Sequence, residues 1–208
     1  MVCPRSLAVG SIPGPYYPVF DGQMGDSWQI SPLTDEEQPD GMIATNAVER
    51  FANFSRDGIG NAGKRFFHAV GFHKPHLPHI VPQKYYDMYE LDGISLPPNP
   101  NVPVGMKVEN WRYDGNVEMG GYGNNPAFQN ASEFGFEKPL PDQKQRELRR
   151  GYFAATSFLD AQAGRVLDAL TENGFKDNTV VVLWSDHGWY GDYDMAFTAN
   201  PRRNTTKR

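Results

Sequence analysis

The strongest constraint on the fold is a long amphipathic stretch that leads into a short β-branched run. Between Asp142 and Gly174, apolar residues recur at gaps of three and four and form one stripe, which predicts a single long helix. The stripe consists of Leu148, Tyr152, Ala155, Leu159, Ala163, Val166 and Leu170. Asp142 with Gln145 resembles a capping box, and Gly174 is a natural C-terminal cap. The run TVVVLW at 179–184 then predicts a buried strand.

A second helix and a second strand are predicted upstream. Residues 42–54 carry apolar side chains at helical spacing, and Asp40-Gly41 precedes them as a plausible start. The run RFFHAVGF at 65–72 is almost continuously apolar, which is typical of a strand buried on both faces. This order of elements predicts an α/β fold with a largely parallel central sheet flanked by helices.

Composition excludes several classes of function. The formal net charge is −5, so a bulk basic surface for nucleic acid is not expected. Cys3 is the single cysteine, which rules out an internal disulfide. No apolar run reaches the roughly 18 residues of a membrane span. The first residues also lack the apolar stretch of a signal peptide. The oligomeric state is left open.

Polar clusters follow both predicted strands. Ser185-Asp186-His187-Gly188 comes directly after TVVVLW, and in open α/β sheets ligands gather at the carboxyl ends of strands. Asp186 and His187 would suit a metal ion, because they offer a hard oxygen and an imidazole nitrogen. The alternative is an aspartate that caps a turn beside an exposed histidine.

The second cluster, His73-Lys74-Pro75-His76, follows the other predicted strand. A histidine suits general acid chemistry near neutral pH, and a lysine can hold an anionic oxygen. The alternative is a surface loop with incidental histidines. Two polar clusters at two strand ends favour a common site.

Two long stretches resemble the sulfatase family of the alkaline-phosphatase superfamily. They are VGFHKPHLPHIVPQKYYDMY at 70–89 and RRGYFAATSFLDAQAGRVLDALTENGFKDNTVVVLWSDHGW at 149–189. The pairing of HKPH with SDHGW is most similar to the iduronate-2-sulfatase branch. The resemblance extends over about residues 42–192, which we interpret as part of a sulfatase catalytic domain. Residues 1–41 are then an irregular N-terminal segment with room for a short strand, and 193–208 a divergent tail.

The resemblance implies an alkaline-phosphatase-like sandwich that removes sulfate from a sulfated sugar or glycosaminoglycan, such as 2-sulfated iduronate. In this family, a formylglycine attacks sulfur beside a calcium ion that neutralises the sulfate oxygens. Asp186 and His187 match the metal loop. His76 matches a catalytic histidine that protonates or holds the leaving oxygen.

The resemblance also suggests substrate contacts. His73 and Lys74 match substrate-binding positions by sequence, without a firm role. Trp189 would pack against a sugar ring or serve as a rim aromatic. Calcium is preferred over zinc on family grounds, although a histidine ligand fits zinc better. A lysosomal, periplasmic or extracellular location is expected.

The chain departs from the family pattern at its reactive centre. No Cys/Ser-x-Pro-Ser-Arg occurs, so the formylglycine is absent, and Cys3-Pro4-Arg5-Ser6 has the wrong order. The family's N-terminal strands and C-terminal domain are also expected to be missing. We therefore expect a fragment that is inactive alone. Two further readings stay open: a metal-dependent phosphodiesterase or phosphonate hydrolase of the superfamily, and a non-catalytic glycan-binding fragment.

Overall fold

The computed structural model describes residues 27–60, 64–96 and 141–186. Two parallel strands, β1 (Trp28–Ser31) and β2 (His79–Pro82), are joined through helix α1 (Pro39–Arg56). Trp28 lies opposite His79 in the ladder. The later elements are a one-turn helix α2 (Gln83–Tyr86), a 3₁₀ turn (Leu91–Gly93), the long helix α3 (Asp142–Glu172) and a second 3₁₀ turn (Lys176–Asn178). Parallel strands with helices confirm the mixed α/β class.

Both predicted helices are confirmed. Helix α3 has 31 residues and ends as expected before Gly174, whose φ of 80° is a conformation that glycine adopts without strain. The predicted capping box is wrong, because Asp142 is itself the first helical residue and no side chain caps that end. Helix α1 begins at Pro39, three residues before the predicted start, and proline is well suited to the first helical position.

The core consists of two clusters that share α3. Its N-terminal half packs on β2 and α2 through Val81, Tyr85, Tyr86, Ala154, Ala155 and Phe158. Its C-terminal half packs on α1 through Phe51, Ala169, Leu170 and Phe175. Across the ranges that the structure describes, no helix has the length and apolar character needed to cross a membrane.

The predictions for the two strands at 65–72 and 179–184 are wrong in the described structure. Neither segment pairs as a strand with another described segment. Residues 66–72 alternate between half-buried and exposed side chains, so only one face is covered. Residues 180–184 are exposed throughout, with Leu183 at 90%. β-propensity reflects fit to neighbouring strands, and the shorter β1 and β2 have such neighbours in each other.

Candidate functional site

The HKPH turn, residues 73–76, lies immediately before β2. The backbone N–H of His76 donates to the carbonyl of His73 at 3.1 Å, which closes the turn. The rings of His73 and His76 have their centroids 5.2 Å apart, so the structure brings these two predicted site residues together. His73 is exposed, whereas Lys74 and His76 are half-buried. The turn thus presents two neighbouring imidazoles at its surface.

The orientation of the His76 ring is fixed by its own loop. Nδ1 lies 2.8 Å from the carbonyl oxygen of Leu77. A carbonyl oxygen only accepts hydrogen bonds, so Nδ1 carries the proton in this arrangement. In the neutral ring the lone pair is therefore on Nε2, and in the imidazolium Nε2 carries the transferable proton. This tautomer suits proton transfer at Nε2.

Lys74 turns its ammonium back onto the same loop. Nζ donates to the carbonyl of Pro78 at 2.6 Å. Burial lowers the pKa of Lys74 to about 8 because the charged form is desolvated, and the carboxylate of Asp40 opposes part of that shift. The side chain is thus mostly protonated at neutral pH and stabilises the loop. Its contact with substrate stays a prediction.

Asp40 is a residue of this site that sequence reasoning did not identify as functional. Its Oδ1 accepts the backbone N–H of His73 at 2.9 Å, and its Oδ2 accepts the backbone N–H of Lys74 at 2.8 Å. The side chain is 2% exposed. The sequence indicated only a helix start at Asp40-Gly41. No residue pattern points to the contact, since the donors are backbone amides 33 and 34 positions away.

His79, the next histidine along the chain, has a different environment. It is fully buried at the start of β2, and its ring meets that of Tyr152 edge-on at a centroid distance of 5.9 Å. Burial, with a smaller contribution from the nearby positive charges of Lys74 and His76, lowers the pKa of His79 to about 3. His79 is therefore neutral at physiological pH and contributes to packing.

The predicted metal loop is described only in part. Asp186 is exposed, and its carboxylate is the kind of hard oxygen donor that a divalent cation prefers. His187 and Trp189 lie outside the described residues. Within residues 27–60, 64–96 and 141–186, no group of three His, Cys, Asp or Glu side chains could hold a metal ion. Asp186 thus has the donor chemistry that such an ion prefers, and its role as a ligand stays a prediction.

Comparisons with known proteins point to one family. A family model described as Sulfatase matches residues 15–207. A sulfatase of Formosa agariphila is 33% identical over 174 residues, which cover 81% of this chain and 29% of that protein. The mouse and human iduronate 2-sulfatases are each 30% identical over 177 residues, which cover 80% of this chain and 31% of each enzyme.

One solved structure agrees with this fold. The phosphonate monoester hydrolase from Silicibacter pomeroyi superposes with a TM-score of 0.55 at 19% identity, over 79% of this chain and 30% of that one. At this identity the likeness shows the fold alone, which is the expected alkaline-phosphatase-like α/β architecture. The chain spans about 30% of the length of the curated relatives compared above.

Proposed function

Because the chain belongs to the sulfatase family, we propose that it forms part of an enzyme that hydrolyses sulfate esters. The observation that carries this proposal is the family match over residues 15–207. The turn at 73–76 supports it, because it combines an oriented histidine with a lysine. The chain spans about 30% of its relatives, so the activity proposed is that of a whole enzyme to which these residues contribute.

The proposed substrate class is a sulfated sugar or glycosaminoglycan, with 2-sulfated iduronate as the specific candidate. The similarity to the mouse and human iduronate 2-sulfatases supports the candidate. A sulfated polysaccharide would be met outside the cytoplasm, so we assign the protein to a lysosomal, periplasmic or extracellular location.

His76 is the proposed catalytic residue. Its Nδ1 is held by the Leu77 carbonyl, so the imidazolium would present the Nε2 proton to the departing oxygen. A sugar alkoxide is a poor leaving group, and protonation as the S–O bond breaks removes that difficulty. His73 would contact the sulfate from the exposed side of the turn, together with Lys74, and Trp189 would pack against the sugar ring.

A divalent cation, which we assign as calcium, would be held by Asp186 and His187. When bound, it would neutralise the sulfate oxygens. The support is the donor chemistry of Asp186 and the family relationship. A sulfate group that contacts both loops requires the turn at 73–76 and the loop at 186–187 to face a common space.

Hydrolysis rates measured on the natural enzyme that contains this chain test the proposal. The substrates are a sulfate monoester, a phosphate monoester, a phosphonate monoester and a phosphodiester of the same alcohol. We expect the sulfate ester to have the highest kcat/KM. A preference for phosphonate or phosphodiester would favour the alternative reading. Retention on heparin without hydrolysis of any ester would favour a glycan-binding role.

A further inference from the structure

The buried carboxylate of Asp40 accepts hydrogen bonds from two backbone amides of the HKPH turn. Each oxygen accepts one N–H, from His73 at 2.9 Å and from Lys74 at 2.8 Å. A hydrogen bond with an ionised acceptor is about twice as strong as a neutral one, and two of them to adjacent amides fix orientation as well as distance. Burying a carboxylate is costly unless such bonds compensate it.

The support beneath Asp40 is itself fixed. Asp40 lies in the first turn of α1, whose positive end favours a carboxylate. Arg165 of α3 donates to the carbonyl of Gly41 at 3.3 Å and to the hydroxyl of Thr45 at 2.8 Å. The start of α1 is therefore tied to α3, which restricts movement of the backbone next to Asp40.

The constraint extends from Asp40 to the His76 ring. Asp40 holds the amide of His73, and the carbonyl of the same residue accepts the N–H of His76 at 3.1 Å. The ring is then oriented by its Nδ1 contact with Leu77 at 2.8 Å. Two successive hydrogen bonds thus connect α1 to the backbone of His76, and a third orients the ring that is proposed to transfer the proton.

We propose that Asp40 is a positioning residue that aims His76 Nε2 at the leaving oxygen by holding the backbone amides of His73 and Lys74. This inference rests on the proposed sulfate ester hydrolysis for its chemical consequence, but its structural part does not depend on it. Asp40 itself does not touch the substrate. Its loss should weaken proton delivery more than it weakens binding.

The dependence of the rate on the leaving group separates positioning from a general loss of structure. Nitrophenolate leaves readily without a proton, whereas an alkyl alkoxide requires one. A displacement of about 1 Å can lower the rate about 100-fold. In Asp40→Asn, kcat for an alkyl sulfate should fall about 100-fold, with less than about a fivefold loss for 4-nitrophenyl sulfate. KM should rise by a similar factor for both esters, because Asp40 also holds His73 and Lys74, the proposed sulfate contacts.

The matched control is Asp35→Asn. Asp35 is also a partly buried carboxylate near the start of α1, and it accepts bonds from Lys84, Tyr85 and Gln162. It contacts none of residues 73–76 through these bonds. Asp35→Asn should therefore lower stability while the ratio of the alkyl to the nitrophenyl rate stays at its wild-type value. Asp40→Glu keeps the charge but moves it by one methylene. Its ratio of the alkyl to the nitrophenyl rate should lie between those of wild type and Asp40→Asn.

Amide exchange followed by NMR on the 208-residue chain, without substrate, tests the structural part. The amides of His73 and Lys74 should exchange at least about tenfold faster in Asp40→Glu and Asp40→Asn. A tenfold change corresponds to about 1.4 kcal/mol in the free energy of opening these hydrogen bonds. Unchanged exchange in both variants would overturn the inference. Equal losses on the two sulfate esters would overturn it as well. A wild-type enzyme that hydrolyses no sulfate ester would defeat the proposed function, while the exchange data still decide whether Asp40 holds the turn.

Discussion

The two loops proposed to form the site differ in how they are held. The turn at 73–76 is fixed by a buried carboxylate, an internal backbone bond and the Lys74 ammonium. The segment 180–186, which carries Asp186, is exposed along its whole length. The HKPH turn and Asp186 each follow an apolar run of similar character in the sequence. An apolar run before a polar cluster therefore does not by itself indicate how the cluster is held, because the carboxylate that holds the turn at 73–76 lies elsewhere in the chain.

The two apolar runs show the same contrast. Residues 66–72 cover one face by packing Phe66 and His68 against Phe51, with ring centroids 6.0 and 5.2 Å apart. In the run 180–184, Val180 is 89% exposed. An apolar run contributes to stability only in proportion to the area it removes from water. The first run therefore stabilises the described structure more than the second does.

The largest expected effect tests the chemistry of the ordered turn. His76→Gln should lower kcat for alkyl sulfates about 10²- to 10⁴-fold, because a glutamine amide cannot act as a general acid. Steady-state kinetics of the natural enzyme measure it. His73→Gln is the comparison, and it should raise KM with a small change in kcat. Equal kcat in wild type and His76→Gln would refute a proton-transfer role for this turn.

The next effect compares packing in the core with the exposed segment. Phe158 is 1% exposed, and its ring lies 5.4 Å from that of Tyr85. Phe158→Ala should lower the unfolding free energy of this chain by about 3–5 kcal/mol. Leu183→Ala should change the unfolding free energy by less than about 0.5 kcal/mol, since the Leu183 side chain is already exposed in the folded state. Urea denaturation measures both. A large loss of unfolding free energy in Leu183→Ala would show that residues 180–186 pack against other residues in solution. The proposed difference between the core and this exposed segment would then be wrong.

Acidification tests the buried side of the HKPH region. The pKa of His79 is about 3 in the folded state against 6.5 for an exposed histidine, so between these values the unfolded chain binds the extra proton. Stability is therefore full above pH 6.5 and falls as the pH drops toward 3. The slope from His79 approaches about 1.4 kcal/mol per pH unit.

The comparison of wild type with His79→Gln between pH 6.5 and 5 isolates this effect. The variant should lose most of the slope, because glutamine does not titrate. His68, whose pKa burial also lowers, is present in both proteins and cancels in the difference. Parallel curves for the two proteins would contradict the burial of His79.

The smallest effect concerns how closely α3 approaches the strands. A Cβ on Gly151 would lie 3.0 Å from the Cβ of Trp28 and 3.2 Å from the ring of His79. Gly151→Ala should therefore lower stability by about 1–2 kcal/mol despite its better helix propensity. Gly164→Ala, with no atom within 4 Å of its new Cβ, should raise stability by about 0.5–1 kcal/mol. Thermal unfolding of the two variants gives the comparison, and shifts of the same sign would argue against close packing at Gly151.

Much of the helical structure was predictable, because helix periodicity is local. The stripe from Leu148 to Leu170 predicts α3, and the signals at Asp142 and Gly174 place its ends within two residues. The two strands that form were harder to identify. WQIS and HIVP are short and only partly apolar, and they pair because α1 brings them side by side. The HKPH turn was proposed from its residue types and from the resemblance, and the roles of its residues stay predictions together with those of Asp186, His187 and Trp189.

Local sequence patterns account for the two long helices and for the family, because helical period and a motif such as HKPH lie in neighbouring residues. Which apolar runs are covered, and which carboxylate holds the turn, depends on contacts between distant parts of the chain. A bond from Asp40 to amides more than 30 residues away depends on the distance that folding sets between them. Every residue except proline offers the same backbone N–H, so the side chains at 73 and 74 do not indicate that contact.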